Sequence, residues 1–262
     1  MIDIHTHILP GIDDGSEGLG QSLDQLKMMQ SAGVSDVILT PHYITNYYEN
    51  TPEKISAAYQ KLTAAAKEAG ISLRLHQGAE ILLDSRSTPK IIAENFTINQ
   101  TKYILVESEM STFPADLKQL LYDLVRHGFK PILAHPERYG DIKKNPTLIE
   151  DLMYRNVYMQ INAGSLLDHY GKDSRKLAWQ FIQNGWVHFI ASDNHCRQAS
   201  YIMPQAIDLI RKNIDDYTAD LLSKTNPQRL LDNQNIEMFY LSQTEQTKRM
   251  TFGQKIKNFL GW

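Results

Sequence analysis

Seven short apolar runs, each followed by a stretch of helical periodicity, set the tightest limit on how this 262-residue chain can fold. The runs read MIDIHTHIL, VSDVILTPHY, ISLRLHQGAEILL, YILVESEM, KPILAHPERY, VYMQINAGS and VHFIASDNH. They have the near-continuous apolar character of parallel strands covered on both faces. Between them, Leu23, Leu26 and Met29 form one helical stripe. Ile55, Tyr59, Leu62 and Ala66 form another, opened by Thr51 as N-cap with Pro52 in the first turn. Gly33, Gly128 and Gly185 stand where helices should stop. Repeated strand–helix units predict an α/β fold, a closed or nearly closed (β/α)7 barrel. An open doubly wound sheet is the alternative, but no glycine-rich phosphate loop follows the first strand.

The length suits one barrel domain, placed at residues 1–235, with a tail over 236–262 whose TFGQKIKNFLGW ending has the pattern of an amphipathic helix. A net charge of −3, with no basic run longer than two residues, does not support a nucleic-acid partner. No apolar run approaches the roughly 20 residues of a membrane span, and the first residues lack a secretory pattern. One cysteine, Cys196, excludes intrachain disulfides and fits a reducing compartment, so a cytoplasmic protein is expected.

Barrel active sites gather where the strands end. Here those ends carry His5 and His7, with Asp13 and Asp14 in the next loop, then His42, Glu80, Glu107, His135, Asp193 and His195. Strand six offers Asn162, which could line the pocket. Each alone has an ordinary reading: a hydrogen-bonded loop histidine, a helix cap, an ion-pair partner. Acids and imidazoles at one end of successive strands are harder to assign to chance. His76, His127, His169 and His188 fall elsewhere and read as structural. Imidazole with carboxylate suits Zn, Mn or Fe. So many ligands exceed the need of one ion and predict two or three, with a carboxylate bridging a pair about 3.5–4 Å apart. Such a cluster suits phosphoester hydrolysis.

Together DIHTHILPGIDDG, TPHY, GAEI, LVE, LAHPERY and IASDNH resemble the motif set of the polymerase-and-histidinol-phosphatase superfamily, most of all its bacterial capsule-type tyrosine phosphatases. The resemblance runs from Met1 to about Leu231 and implies a distorted (β/α)7 barrel with a trinuclear site that favours manganese, with Fe, Zn or Mg possible instead. It implies that His5, His7, Glu80 and Asp193 hold one ion. Glu80 would bridge to a second, with Glu107 and His135, and Asp14, His42 and His195 would hold a third. Asp14 is preferred to Asp13 because it precedes the glycine, and Glu109 competes with Glu107. Arg138 matches an arginine that holds the substrate phosphate; Arg197 is the candidate for a second, although HCRQAS departs from the expected spacing. A metal-bound hydroxide would attack phosphorus in line, with His42 or His195 available to assist. The implied substrate is the phosphotyrosine tail of a tyrosine kinase that controls extracellular polysaccharide export.

Two other readings stay open: hydrolysis of a small phosphoester such as histidinol phosphate, and a non-catalytic module that binds phosphotyrosine. A cysteine-dependent phosphatase does not fit, because Ile202 stands six residues after Cys196 where an arginine is needed.

Overall fold

The computed structural model describes residues 1–238. Its strands are β1 (Ile2–Thr6), β2 (Asp36–Leu39), β3 (His42–Tyr43), β4 (Arg74–Gln77), β5 (Glu80–Leu82), β6 (Tyr103–Glu107), β7 (Lys130–Ala134), β8 (Tyr158–Asn162) and β9 (Phe189–Ala191). All pairing between them is parallel, in the orders β1-β2-β4 and β3-β5-β6-β7-β8-β9. The helices between and after them are α1 (Leu19–Ser31), α2 (Pro52–Glu68), α3 (Ser87–Ala93), α4 (Leu117–Arg126), α5 (Gly140–Lys144) and α6 (Leu148–Tyr154). Then come α7 (Ala163–Leu166), α8 (Lys172–Gln183), α9 (Met203–Asn213), α10 (Asp216–Asp220) and α11 (Asn226–Leu231).

These elements form the expected seven-stranded barrel, but two of the seven strands are broken. The second is split at Thr40-Pro41 into β2 and β3, the third at Gly78-Ala79 into β4 and β5. Bonds from Gly78 N to Leu39 O (2.9 Å) and from Glu80 N to Pro41 O (3.1 Å) carry the ladder across the breaks. Pro41 has no N–H to give, so a break there costs one bond fewer. β4 does not pair with β6; Ile98, from the turn Ile98–Gln100, enters the interior cluster there and faces Gly78. The barrel is therefore distorted on that side. It closes on the other through the Thr6–Asn194 bridge and the bonds Asp193 N to His5 O (3.0 Å) and His7 N to Asn194 O (2.9 Å).

Two apolar clusters hold this frame. Outward-facing Val37, Leu39, Ile81, Ile104, Val106, Leu133 and Ile161 meet the helices. In α4 that face is Leu117, Leu120, Leu121 and Leu124, all buried, three and four residues apart. Thr51 Oγ1 accepts from Lys54 N at 3.4 Å at the start of α2, as the N-cap pattern predicts. Inside the barrel, Ile4, Ile38, Leu105, Ile132, Tyr158 and Phe189 pack with Leu230 and Ile236. The Tyr103 hydroxyl donates to Gln234 O (2.6 Å) and the Tyr158 hydroxyl to Ile236 O (3.3 Å), so residues 234–236 lie across the base. The amphipathic helix expected at the chain's end falls outside the described residues. Among the described residues, no helix is long and apolar enough to cross a membrane.

Candidate metal centre

A strict two-residue alternation along β1 would set Asp3, His5 and His7 on one face. The pairing of β1 with β2 instead slips by one residue between Asp3 and Thr6. This bulge lets Ile4 join the interior cluster while His5, next to it, also reaches the interior and meets Gln160. Asp3 is left to accept from Ser192 N (3.1 Å), Ser192 Oγ (2.5 Å) and Tyr201 Oη (2.9 Å), which ties β1 to the loop carrying Asp193.

Beyond the apolar base, donor atoms converge. His5 Nε2 and His7 Nε2 face each other at 3.1 Å, and Glu80 Oε2 lies 3.1 and 3.2 Å from them. Asp193 Oδ1 is 3.4 Å from both. Glu80 Oε1 is 2.9 Å from His135 Nε2, while His42 Nδ1 is 3.1 Å from both Glu80 Oε2 and Glu107 Oε1. Asp14 Oδ1 sits between His42 Nε2 (3.5 Å) and His195 Nε2 (3.4 Å). Three groups among the described residues thus offer atoms within 4.8 Å of one another: His7, Asp14, His42 and His195; His5, His7 and Asp193; His42, Glu80 and Glu107.

The donor chemistry fits divalent cations. Glu80 Oε2 and Asp193 Oδ1 are buried, with imidazole nitrogens around them, yet neither makes a hydrogen bond. Lone pairs aimed at a common point, not a satisfied polar network, explain that arrangement. Burial works to lower the His5 imidazole, but Glu80 and Asp193 outweigh it and lift it to about 9. Burial likewise opposes charge on Glu80 and Asp193, and His5 overrides it and holds both far below the usual carboxylate range. The His195 imidazole, 3.4 Å away, does the same for Asp14. The cluster is an anionic hole that draws positive charge.

Outer partners aim the rings. His5 Nδ1 is 2.8 Å from Gln160 Oε1, Gln160 Nε2 donates to Asn162 Oδ1 (2.9 Å), and Asn162 Nδ2 donates to Asp193 Oδ2 (2.7 Å). His7 Nδ1 is 2.8 Å from Asp13 Oδ2, and His195 Nδ1 is 3.0 Å from the Asp193 carbonyl. With Nδ1 hydrogen-bonded, each ring presents Nε2 to the cluster. Asp13 also accepts from His42 N (3.1 Å) and Gly15 N (3.0 Å), so its oxygens are occupied and Asp14 is the residue left facing inward. The turn needs Gly15: a Cβ there would stand 1.9 Å from His7 O. His135 (φ 38°) and Asp193 (φ 52°) hold left-handed backbone, a strained conformation that clusters at functional sites.

A cavity of about 410 Å³ opens over these atoms, lined by His42, Glu107, His135, Arg138, Tyr170 and Arg197 among others. Arg138 Nη1 lies 3.3 Å from Asp193 Oδ2. Arg197 Nη2 instead donates to Asp14, at 3.0 Å to its carbonyl and 2.8 Å to Oδ2.

Residues 1–232 match the model of a family described as "Capsular polysaccharide synthesis, CpsB/CapC". The chain belongs to the CpsB/CapC family. It is 33% identical over 241 residues to the tyrosine-protein phosphatase YwqE of Bacillus subtilis, covering 90% of this chain and 93% of that protein. It is 30% identical over 243 residues to the tyrosine-protein phosphatase CpsB of Streptococcus pneumoniae, covering 90% of this chain and all of that protein (100%). A crystal structure from work on YwqE and CpsB, described as "unique metal-dependent tyrosine phosphatases", superposes with a TM-score of 0.85 at 32% identity, over 90% of this chain and 96% of that one. A histidinol phosphate phosphatase of Lactococcus lactis shares the fold at a TM-score of 0.55 and 13% identity, over 85% of this chain and 96% of that one.

Within this CpsB/CapC chain, the residues expected at the strand ends do come together, though not all at strand ends. His42 and Glu80 begin the short strands β3 and β5 instead, which the breaks in strands two and three make possible. Glu109 is exposed, so of the two competitors only Glu107 reaches the cluster. Asn162 is fully buried under Asp193 and does not line the cavity. Among the four histidines read as structural, His76 pairs with Asp36 (2.9 Å), His127 bonds Asp123 O (2.7 Å), and His188 lies buried near the base. His169 departs from that reading: it lines the cavity beside Tyr170. Sequence reasoning also missed Gln160 and the role of Asp13. A glutamine inside an apolar strand two residues before Asn162 was the one available signal.

Proposed function

We propose that this chain is a metal-dependent protein-tyrosine phosphatase acting on phosphotyrosine in the mouth of the barrel. The observation that carries the reading is the convergence of nine imidazole and carboxylate side chains beneath one cavity that an arginine also enters. The names of the relatives, tyrosine-protein phosphatases at 30–36% identity, support the reaction, one of them only as a putative phosphatase.

His5, His7, Glu80 and Asp193 would hold one ion, Glu80, Glu107 and His135 a second, and Asp14, His42 and His195 a third. Manganese is the metal proposed, with Fe, Zn or Mg able to use the same donors. Divalent ions supply Lewis acidity there: they neutralise phosphoryl charge and lower the pKa of water. The chain's own part is orientation. The planar Arg138 guanidinium forks onto two phosphate oxygens, the outer partners keep each Nε2 aimed, and the cavity walls hold the aryl ring. Tyrosinate, with a parent pKa near 10, departs more readily than an alkoxide, so less protonation of the leaving oxygen is needed. Arg197, the candidate for a second phosphate ligand, donates to Asp14 through Nη2, and that contact supports assigning it the task of steadying the carboxylate.

The capsule-related family description supports a substrate in that process: the phosphotyrosine tail of a bacterial kinase that controls polysaccharide synthesis. The test is turnover by chelator-stripped protein on a phosphotyrosine peptide, a phosphoserine peptide and histidinol phosphate, with Mn²⁺, Zn²⁺, Mg²⁺ or no metal. Manganese-restored release from phosphotyrosine alone is expected. Selective turnover of histidinol phosphate would overturn the substrate, and binding without turnover would overturn the enzyme.

A further inference from the structure

Arg138 lines the cavity, and among the described residues its only ion pair is the 3.3 Å approach to Asp193 Oδ2. That carboxylate is already committed: Asn162 donates to the same oxygen at 2.7 Å, and three imidazole nitrogens crowd the other at 3.3–3.4 Å. One weak ion contact does not fix a long, flexible side chain. What lies under the guanidinium is Tyr170, whose ring centroid is 4.3 Å from Arg138 Cζ. Burial, reinforced by Asp193, pushes the Tyr170 phenol above its ordinary value, so a neutral ring face, not a phenolate, meets the cation.

Tyr170 is itself held by backbone. A Cβ on Gly164, in α7, would stand 2.9 Å from Tyr170 Cε2 and 3.4 Å from His169 Cβ. The glycine leaves the room that the ring fills. Asp168 (φ 67°) and Gly171 (φ 84°), both in left-handed conformation, turn the loop that brings His169 and Tyr170 back over α7.

We propose that Tyr170 is a positioning residue: its ring is the platform that keeps the Arg138 guanidinium aimed at the phosphate in the cavity, and Gly164 sets the depth of that platform. The proposal rests on the reading above in which Arg138 holds the phosphate. It separates Tyr170 from a merely lining residue, because a platform acts through one partner and only through its ring face.

The test uses the full chain loaded with manganese and reads two quantities: the affinity for inorganic phosphate by calorimetry, and KM and kcat on a phosphotyrosine peptide. Tyr170→Leu weakens phosphate binding and raises KM by about fivefold, with a smaller fall in kcat, as loss of a partly buried cation–π contact predicts. Tyr170→Phe keeps the ring face and restores most of both values. Gly164→Ala displaces the ring without deleting it and shifts both in the direction of the leucine variant; it supplies the comparison if that variant does not fold. In an Arg138→Ala background, Tyr170→Leu adds nothing further. A folded Tyr170→Leu with parental phosphate affinity overturns the platform, as does an effect that persists undiminished without Arg138. If Arg138→Ala alone leaves phosphate affinity and KM unchanged, the phosphate role of Arg138 fails and takes the platform with it. A damaged Arg138→Ala beside a silent Tyr170→Leu sinks the platform only.

Discussion

At the base of the barrel Ile4, Leu105, Ile132, Tyr158 and Phe189 meet side chain to side chain. A few residues further along the same strands, His5, Glu107, His135, Gln160 and Asp193 gather instead, nearly all as buried as the residues below them. The base gains free energy by removing apolar surface from water. The mouth spends part of it, because each acid and imidazole there is desolvated and only partly compensated by its neighbours. One set of strands thus serves as support at one end and as a charged cluster at the other.

The comparison is broken most directly by exchanging what each end tolerates. Glu80→Gln removes the charge shared by His5, His7, His42 and His135 while keeping a side chain of the same shape. Turnover should fall by more than about 100-fold, the upper end of what an outer-shell partner contributes. Manganese binding should weaken with it, and circular dichroism in chelator should be unchanged. A Glu80→Gln protein that binds manganese and turns over like the parent would remove the mouth as the site of the chemistry.

Phe189→Ala asks the opposite. The ring is fully buried at the base, so its deletion should lower stability by about 3–5 kcal/mol in denaturant titrations. Manganese affinity and KM of the folded fraction should stay at parental values. If KM moves with stability, the two ends are one cooperative unit and the contrast between them is false.

A titratable group at the base sharpens the contrast further. Burial holds the His188 imidazole down at about 4 although Nε2 lies 3.0 Å from Met238 O, and Met159 N donates to its Nδ1 at 2.9 Å. Unfolded, it titrates near 6.5, so between these values the unfolded chain binds the extra proton and stability rises with pH. This contribution is whole above pH 6.5, is lost as pH falls towards 4, and amounts to about 3 kcal/mol. His5, lifted to about 9, has the opposite sign. The quantity to measure is therefore the stability of the parent minus that of His188→Asn, in chelator, from pH 7 to 4. A flat difference would mean that His188 titrates alike in the folded and unfolded chains and that burial does not hold it down.

Much of this was legible because it is local or repeats. The seven apolar runs carry the strand count, and acids and imidazoles following them mark the mouth. The rest depends on contacts that no window of sequence contains. His5 meets Gln160 across 155 residues of chain, and Asp13 bonds both His7 and His42. The bulge in β1 escapes a two-residue period because parallel barrel strands are apolar on both faces, so a slip of one leaves no mismatch. His169 and Tyr170 sit in a polar loop after a four-residue helix, and only its reversal over Gly164 brings them to the cavity. Pro41 and Gly78 stand inside runs that read as single strands, and nothing in those runs tells that the breaks re-aim His42 and Glu80.

The smallest expected effect separates the two arginines of the mouth. Arg138 is mostly covered and lies over a ring; Arg197 is two-thirds exposed (67%) and already bonded to Asp14. A solvated ion pair contributes about 0–1 kcal/mol even with good geometry. Arg197→Ala should therefore change phosphate affinity by less than about fivefold. Its consequence should fall on Asp14, as a modest weakening of the ion bound with His42 and His195, visible as one altered step in a manganese titration. Were Arg197→Ala to abolish phosphate binding while leaving every manganese step intact, the guanidinium would have to leave Asp14 for the substrate. Two phosphate-binding arginines, not Arg138 alone, would then serve the site.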